Sequence, residues 1–216
     1  MNKPTRHFTV IFDFDGTLAD TLYLGMHIYN HIATQLHLKT ITEHDVERLR
    51  NKRGQDILKE LGISLLKVPC IAKKLKSAMN KHINELKPKE GMVAVLVELE
   101  KNSIVYGVLT SNSRENVDDF ARKNNITMID FIYTGQNLFA KHKRILSLLK
   151  RKNLDPHHVV YVGDEIRDIE AAKKAHIKCI AVTWGFNSKE RLKKHNPDFI
   201  VASPSELFSA IKQLTV

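Results

Sequence analysis

Short apolar runs rich in β-branched and aromatic residues alternate, along most of this chain, with segments that carry helix signals. Each run has the length of a buried strand, and several runs end at clusters of polar residues. Buried strands that alternate with helices predict βαβ units, and therefore a parallel sheet covered by helices on both faces. The predicted strands are residues 8–12, 103–110, 128–134, 158–162, 178–183 and 199–201.

The segments between these strands are typical of helices. Asparagines follow two of them, and alanines recur on one face of a third. Ser203 and Pro204 have the residue types of an N-cap and a first helical turn, so they predict the start of a last helix. The predicted helices are residues 116–123, 141–151, 166–175 and 205–214.

Residues 20–88 depart from this alternation. They contain no convincing strand, and their apolar residues recur at helical spacing. Pro88 and Gly91 then indicate a turn back into the alternating pattern. We therefore predict an α/β fold with a Rossmann-like parallel sheet, formed by residues 1–19 and 89–216, and an all-helical cap domain inserted at residues 20–88.

The composition of the 216-residue chain is that of an ordinary globular protein, with 43% hydrophobic and 27% charged residues. Its cysteines, Cys70 and Cys179, lie far apart and outside any CxxC motif, so we expect neither a disulfide scaffold nor a cysteine-based zinc site. No apolar stretch approaches the roughly 20 residues that span a bilayer, and the basic N-terminus does not resemble a signal peptide. These features predict a soluble, cytoplasmic protein without a membrane partner.

The formal net charge is +10, from 34 Lys+Arg against 24 Asp+Glu. The basic residues are spread along helical stretches and form neither a tail nor a patch interleaved with aromatics, which favours a solvated basic surface. We do not expect a nucleic-acid partner. A non-catalytic phosphate- or nucleic-acid-binding module stays open as an alternative, and it would bind far more weakly as salt rises.

Polar motifs follow the carboxyl ends of several predicted strands, which is where open parallel sheets bind ligands. They are Asp13-Phe14-Asp15-Gly16-Thr17, Thr110-Ser111-Asn112, Lys141 and the run from Gly163 to Asp168. Carboxylates gathered in one crevice repel one another unless a cation lies among them, and oxygen ligands favour Mg²⁺. A carboxylate is also a nucleophile toward phosphorus. The motifs therefore predict Mg²⁺-assisted phosphoryl transfer.

These motifs resemble those of the haloacid dehalogenase superfamily. Residues 13–18 match its D-x-D-G-T-L motif, Gly163, Asp164 and Asp168 match G-D-x-x-x-D, and Thr110 and Lys141 fall where the second and third motifs have their hydroxyl and basic residues. The similarity covers about residues 8–201. It is greatest to small phosphatases similar to phosphoglycolate phosphatase that have a helical, C1-type cap.

The resemblance implies a role for each motif residue. Asp13 would be the nucleophile, and Asp15 would protonate the leaving alcohol and then activate water. Thr110 and Ser111 would hold the phosphoryl group, and Lys141 would neutralise its charge. The implied metal ligands are Asp13, Asp164, Asp168 and the backbone carbonyl of Asp15. The implied substrate-binding residues are Thr17, Ser111, Asn112 and the cap residue Arg53.

The resemblance implies a phosphatase for a small phosphate ester, with phosphoglycolate as the first candidate, in a monomer or homodimer. An acid at Asp15 argues against dehalogenation. A sugar-phosphate mutase on the same fold stays open, and phosphonate hydrolysis through a cap lysine ranks low. Lys143 is a rival to Lys141, because His142 stands where the family has proline. Arg53 fits a substrate carboxylate or a solvated surface equally well, and Trp184 fits a cleft mouth or a packing site.

Overall fold

The computed structural model describes residues 8–135 and 141–215. It contains a six-stranded sheet in which every neighbouring pair is parallel and the strand order is β3-β2-β1-β4-β5-β6. The strands are β1 (Thr9–Phe12), β2 (Val105–Thr110), β3 (Phe131–Thr134), β4 (Val159–Gly163), β5 (Lys178–Val182) and β6 (Phe199–Val201). The predicted α/β, Rossmann-like parallel sheet is confirmed.

Ten α-helices lie within the described ranges. They are α1 (Leu22–Gln35), α2 (Glu43–Arg50), α3 (Gly54–Glu60), α4 (Val68–Lys81), α5 (Met92–Lys101), α6 (Arg114–Lys123), α7 (Lys141–Lys152), α8 (Ile166–Lys174), α9 (Lys189–Lys193) and α10 (Pro204–Leu214). Short 3₁₀ helices occupy Leu65–Lys67, Ile83–Glu85 and Pro156–His158. None of the helices described is long and apolar enough to cross a membrane.

The sheet is buried on both faces because alternate residues of each strand point to opposite sides. Val10 and Phe12 of β1 belong to the core under α5, α6 and α10, whereas Ile11 belongs to the core under α7, α8 and α9. Both layers are apolar, which explains why the strands appear in the sequence as nearly continuous hydrophobic runs.

Several strands begin later than the sequence predicts. The run predicted to start at residue 103 forms a strand only from Val105, because Ser103 has a φ of 55° in the left-handed region and cannot extend the strand. Residues 156–158 form a 3₁₀ turn before β4. The predicted helices are present with small shifts at their ends, and Ser203 caps α10 by accepting the Glu206 amide at 3.3 Å.

Helices α1 to α4 follow β1 directly and fill the region predicted to be a cap. An apolar cluster of their own joins α1 and α4 with the residues at the end of α3, and it is formed by Tyr29, Ala33, Leu61, Ile63 and Ile71. The two connections to the sheet lie side by side: the Asp20 amide donates to Lys87 O at 3.0 Å and the Lys89 amide to Leu18 O at 2.9 Å. The domain boundaries at 19/20 and 88/89 stay a prediction that is compatible with this arrangement.

Candidate active site

Asp13 lies just past the carboxyl end of β1, the strand at which the sheet order changes direction. β1 has β2 on one side and β4 on the other, so this point is the topological switch where α/β folds place their ligands. The Asp13 amide donates to Val162 O of β4 at 2.8 Å, and its Oδ1 accepts the Phe14 amide at 2.8 Å. The neighbouring strand therefore fixes the Asp13 backbone, and the Phe14 amide orients its side chain.

Lys141 is the first residue of α7, and its side chain contacts Asp13. Its Nζ donates to Asp13 Oδ2 at 2.6 Å and also to Asp168 Oδ1, and the lysine is buried. Burial alone would lower the pKa of Lys141, but the carboxylates of Asp13 and Asp168 raise it well above its usual value. Lys143 is exposed, so the geometry favours Lys141 over this rival.

Asp164 follows β4 and is fully buried. Its Oδ1 accepts the Thr17 hydroxyl at 2.8 Å, and its Oδ2 accepts the Phe186 amide at 2.7 Å. Burial, and then the negative charges of Glu165 and Asp168, raise the pKa of Asp164 well above its usual value. Within residues 8–135 and 141–215, no lysine or arginine pairs with this carboxylate.

Asp13, Asp164 and Asp168 form a cluster in which one carboxylate oxygen from each residue lies within 4.8 Å of the other two, and all three residues are buried. Lys141 supplies one positive charge to the cluster, on the side of Asp13 and Asp168. Among the described residues, Asp164 accepts hydrogen bonds from neutral donors, the Thr17 hydroxyl and the Phe186 amide, so the cluster has excess negative charge on the side of Asp164. Hard carboxylate oxygens in this setting fit Mg²⁺.

Asp15 lies two residues after Asp13 and is partly buried. Burial, and then the neighbouring charge of Asp13, raise its pKa to about 7. A carboxyl group with such a pKa holds a proton for part of the time at neutral pH and can also accept one, as general acid–base catalysis requires.

Thr17 is predicted from the sequence to bind substrate, but its hydroxyl is occupied elsewhere. The residue is fully buried, and the hydroxyl donates to Asp164 Oδ1. Trp184 lies beside it, with its Nε1 donating to Thr17 O at 3.1 Å. These contacts favour a role for Thr17 in orienting Asp164, and a packing role for Trp184.

The Thr110 loop lies next to Asp13, because β2 is the neighbour of β1. The Thr110 hydroxyl accepts the Asn112 amide at 2.9 Å, and the Asn112 side chain accepts the Ser113 amide and Asn116 Nδ2. Asn112 therefore shapes the loop through its side-chain oxygen. Ser111 is partly exposed in the same loop.

Arg53 is exposed at the N-terminus of α3 in the cap. Within the described part of the chain, its side chain has no hydrogen bond or ion pair with the residues around Asp13, and its role in substrate binding stays a prediction. It lies directly after residues 50–52, which contact Ser188 and Arg191 of the core.

Sequence reasoning missed two structural partners of this site. The Phe186 amide on Asp164 is a backbone donor, which any residue could supply, so the sequence carries no signal for it. Arg144 donates from Nη1 to Thr110 O at 2.9 Å and to Gly135 O at 2.6 Å, which fixes the end of β2. Arg144 could have been found from the sequence, because it follows Lys141 by three residues and therefore lies on the same side of the predicted helix.

The α/β sheet and its acidic cluster define a class of enzymes, and the comparisons with known proteins identify it. The model of the haloacid dehalogenase-like hydrolase family matches residues 10–182, and the chain belongs to this family. It is 32% identical to phosphoglycolate phosphatase of Synechococcus elongatus, over 95% of this chain and 97% of the relative. The enzyme is thus a phosphatase of the haloacid dehalogenase-like type.

Two other relatives extend the comparison. Pyrophosphatase PpaX of Bacillus mycoides is 24% identical, over 95% of this chain and 97% of its own length. A solved haloacid dehalogenase-like hydrolase of Streptococcus pneumoniae has the same fold with a TM-score of 0.77 and 23% identity, and the match covers 95% of this chain and 98% of that one.

Proposed function

We propose that this enzyme is a Mg²⁺-dependent phosphatase that hydrolyses a small phosphorylated metabolite through an aspartyl-phosphate on Asp13. The observation that carries the proposal is the contact between Lys141 Nζ and Asp13 Oδ2 at 2.6 Å. Asp15, two residues after Asp13 in the chain, has a pKa of about 7. The contact and this pKa support the roles of Asp13 as nucleophile, Lys141 as cation and Asp15 as acid–base group at one strand end.

The first chemical step forms a bond between an Asp13 oxygen and phosphorus while the bond from phosphorus to the leaving oxygen breaks. Asp15, protonated at this stage, gives its proton to the leaving oxygen. Asp15 then takes a proton from water, whose oxygen attacks the phosphorus of the aspartyl-phosphate. Inorganic phosphate leaves, and Asp13 returns to its starting carboxylate.

The remaining residues supply positive charge and orientation. Lys141 holds Asp13 in place and would offer charge to the phosphoryl oxygens, and the Thr110 hydroxyl and the Ser111 amide would donate to them. Asp13, Asp164 and the Asp15 carbonyl would hold Mg²⁺, with Asp168 supporting the site through Lys141. When bound, the ion would supply further charge neutralisation at the transferring phosphoryl group.

Phosphoglycolate is the first candidate substrate. The support is the 32% identity to a relative of that name. The positive charge of Arg53 in the cap would suit the carboxylate of phosphoglycolate. It would equally suit the second phosphate of pyrophosphate, and the relative from Bacillus mycoides is named a pyrophosphatase.

The test is phosphate release from a panel of phosphate esters and pyrophosphate, with Mg²⁺ and with a chelator. We expect Mg²⁺-dependent release that Asp13→Asn abolishes. Asp119→Asn is the matched control, because Asp119 pairs with Arg122 on the surface of α6. An isomerised sugar phosphate without phosphate release would instead indicate the mutase, and release that persists in Asp13→Asn would contradict the proposal.

A further inference from the structure

A cap arginine contacts the loop that holds Asp164. Arg50 ends α2, and only 14% of its side chain is exposed. Its Nη2 donates to Thr183 O and, at 3.3 Å, to Asn187 O. Both carbonyls belong to residues 183–188, which follow β5 in the core and are called the docking loop below.

The residues next to Arg50 extend this contact. Arg50 O accepts the Ser188 amide at 3.3 Å, and Asn51 Oδ1 accepts the Ser188 hydroxyl at 2.5 Å. Lys52 O accepts a hydrogen bond from Arg191. Three consecutive cap residues therefore bind one continuous segment of the core.

The docking loop also determines where the Asp164 carboxylate lies. The Phe186 amide donates to Asp164 Oδ2 at 2.7 Å, and the Asn187 amide donates to Asp164 O at 3.3 Å. Asn187 Oδ1 accepts the Ile166 amide at 2.9 Å, which ties the loop to the start of α8. Phe186 and Asn187 thus lie between the cap arginine and the buried carboxylate.

We propose that Arg50 is a positioning residue for the carboxylate cluster. By bonding Thr183 O and Asn187 O, it holds the docking loop in the conformation that aims the Phe186 amide at Asp164. Contact between the cap and the docking loop then raises the affinity for a divalent cation, and binding of the cation stabilises that contact to the same extent. The inference rests on the proposed function, in which Asp164 is a metal ligand.

The experiment measures the affinity of the substrate-free enzyme for Mn²⁺, a probe for the Mg²⁺ site, from the electron paramagnetic resonance signal of free Mn²⁺. We expect Arg50→Ala to raise the Kd about 5- to 10-fold, at the low end of usual coupling between sites. Arg50→Lys should restore part of the affinity. Arg48→Ala is the matched control, because Arg48 lies on the same helix but pairs with Asp45 and Glu60 of the cap, and its Kd should be unchanged.

A second variant guards against misfolding of Arg50→Ala. Asn51 is exposed, and Asn51→Ala removes the acceptor of the Ser188 hydroxyl together with a 3.3 Å bond from Asn51 Nδ2 to Glu47 O within the same helical segment. A rise in Kd is again expected, because the bond to Ser188 is the one that reaches the docking loop. An unchanged Kd in folded Arg50→Ala and in Asn51→Ala would overturn the inference and leave the phosphatase proposal intact. Failure of the wild type to bind Mn²⁺ would instead defeat both the proposed metal site and the coupling.

Discussion

Lys141 donates from Nζ to Asp13 Oδ2 at 2.6 Å, although the two residues lie 128 positions apart in the chain. The contact joins the end of β1 to the start of α7, and the second bond from Lys141 to Asp168 adds the start of α8. One buried ammonium group therefore holds two carboxylates from separate elements. Its removal should affect both folding and catalysis.

Lys141→Ala should lower both stability and activity. Two buried carboxylates would lose their cation, and breaking a buried ion pair typically costs about 3–5 kcal/mol of unfolding free energy. We also expect kcat/KM to fall by roughly 100-fold or more, the range for loss of a preorganised charge. Denaturant unfolding and steady-state kinetics measure the two effects. Lys143→Ala is the control, since Lys143 is exposed, and equal losses in both variants would contradict the assignment.

The raised pKa of Asp15 predicts a dependence of stability on pH. The folded enzyme keeps this proton up to pH about 7, whereas the unfolded chain loses it near 3.8. The folded state therefore binds more protons between these values, and the contribution of Asp15 to stability falls as pH rises through this window. In chelator, wild-type stability should fall more steeply from pH 5 to about 7 than that of Asp15→Asn. Parallel curves would contradict the raised pKa.

Thr17→Val should weaken cation binding without weakening substrate binding. The variant keeps the size of the buried side chain but removes the hydroxyl that Asp164 accepts, at a cost of about 1–3 kcal/mol in stability. We expect a higher Kd for Mn²⁺ and an unchanged KM at saturating Mg²⁺, with recovery in Thr17→Ser. A raised KM with an unchanged Kd for Mn²⁺ would contradict this expectation and support the substrate-binding role predicted from the sequence.

Gly185→Ala should disable the site by crowding Asp164. A Cβ at Gly185 would overlap the Asp164 carboxylate, so the carboxylate or the chain around it would have to move. We expect a large loss of Mn²⁺ affinity and of phosphate release. Gly25→Ala is the control, because a methyl group at Gly25 in α1 would meet no atom within 4 Å, and that change should be neutral or stabilising. A fully active Gly185→Ala enzyme would contradict the described packing.

The sheet could be predicted because its strands are buried on both faces and therefore carry unbroken apolar runs. Asp13 and Asp164 could be located because each follows such a run closely. The starts of β2 and β4 could not be predicted, because the sequence has no clear signal for the left-handed backbone of Ser103 or for the 3₁₀ turn before β4. The contacts of Arg50 were also hidden, because they go to backbone carbonyls, whose position depends on the tertiary fold.

The roles of Thr17 and Arg53 show a second limit. The motif predicts that Thr17 is near the chemistry, but only the structure shows that its hydroxyl is taken by Asp164. The prediction for Arg53 rests on its charge and its place in the cap, and its distance from Asp13 depends on how α2 and α3 pack. Spacing along the chain does not contain that information.

In the proposed mechanism, Asp13 becomes phosphorylated during turnover. Asp15→Asn should slow the attack of water on the aspartyl-phosphate, while an aryl phosphate with a good leaving group can still react without an acid. Asp15→Asn reacts with the aryl phosphate and Mg²⁺, the reaction is quenched rapidly, and borohydride reduces the acyl phosphate. Peptide mass spectrometry then identifies the residue that was phosphorylated, which carries the mass label of this reduction. We expect a label at Asp13 that is absent from the doubly substituted Asp13→Asn, Asp15→Asn enzyme. A label on another residue, or phosphate release without any labelled peptide, would contradict this mechanism.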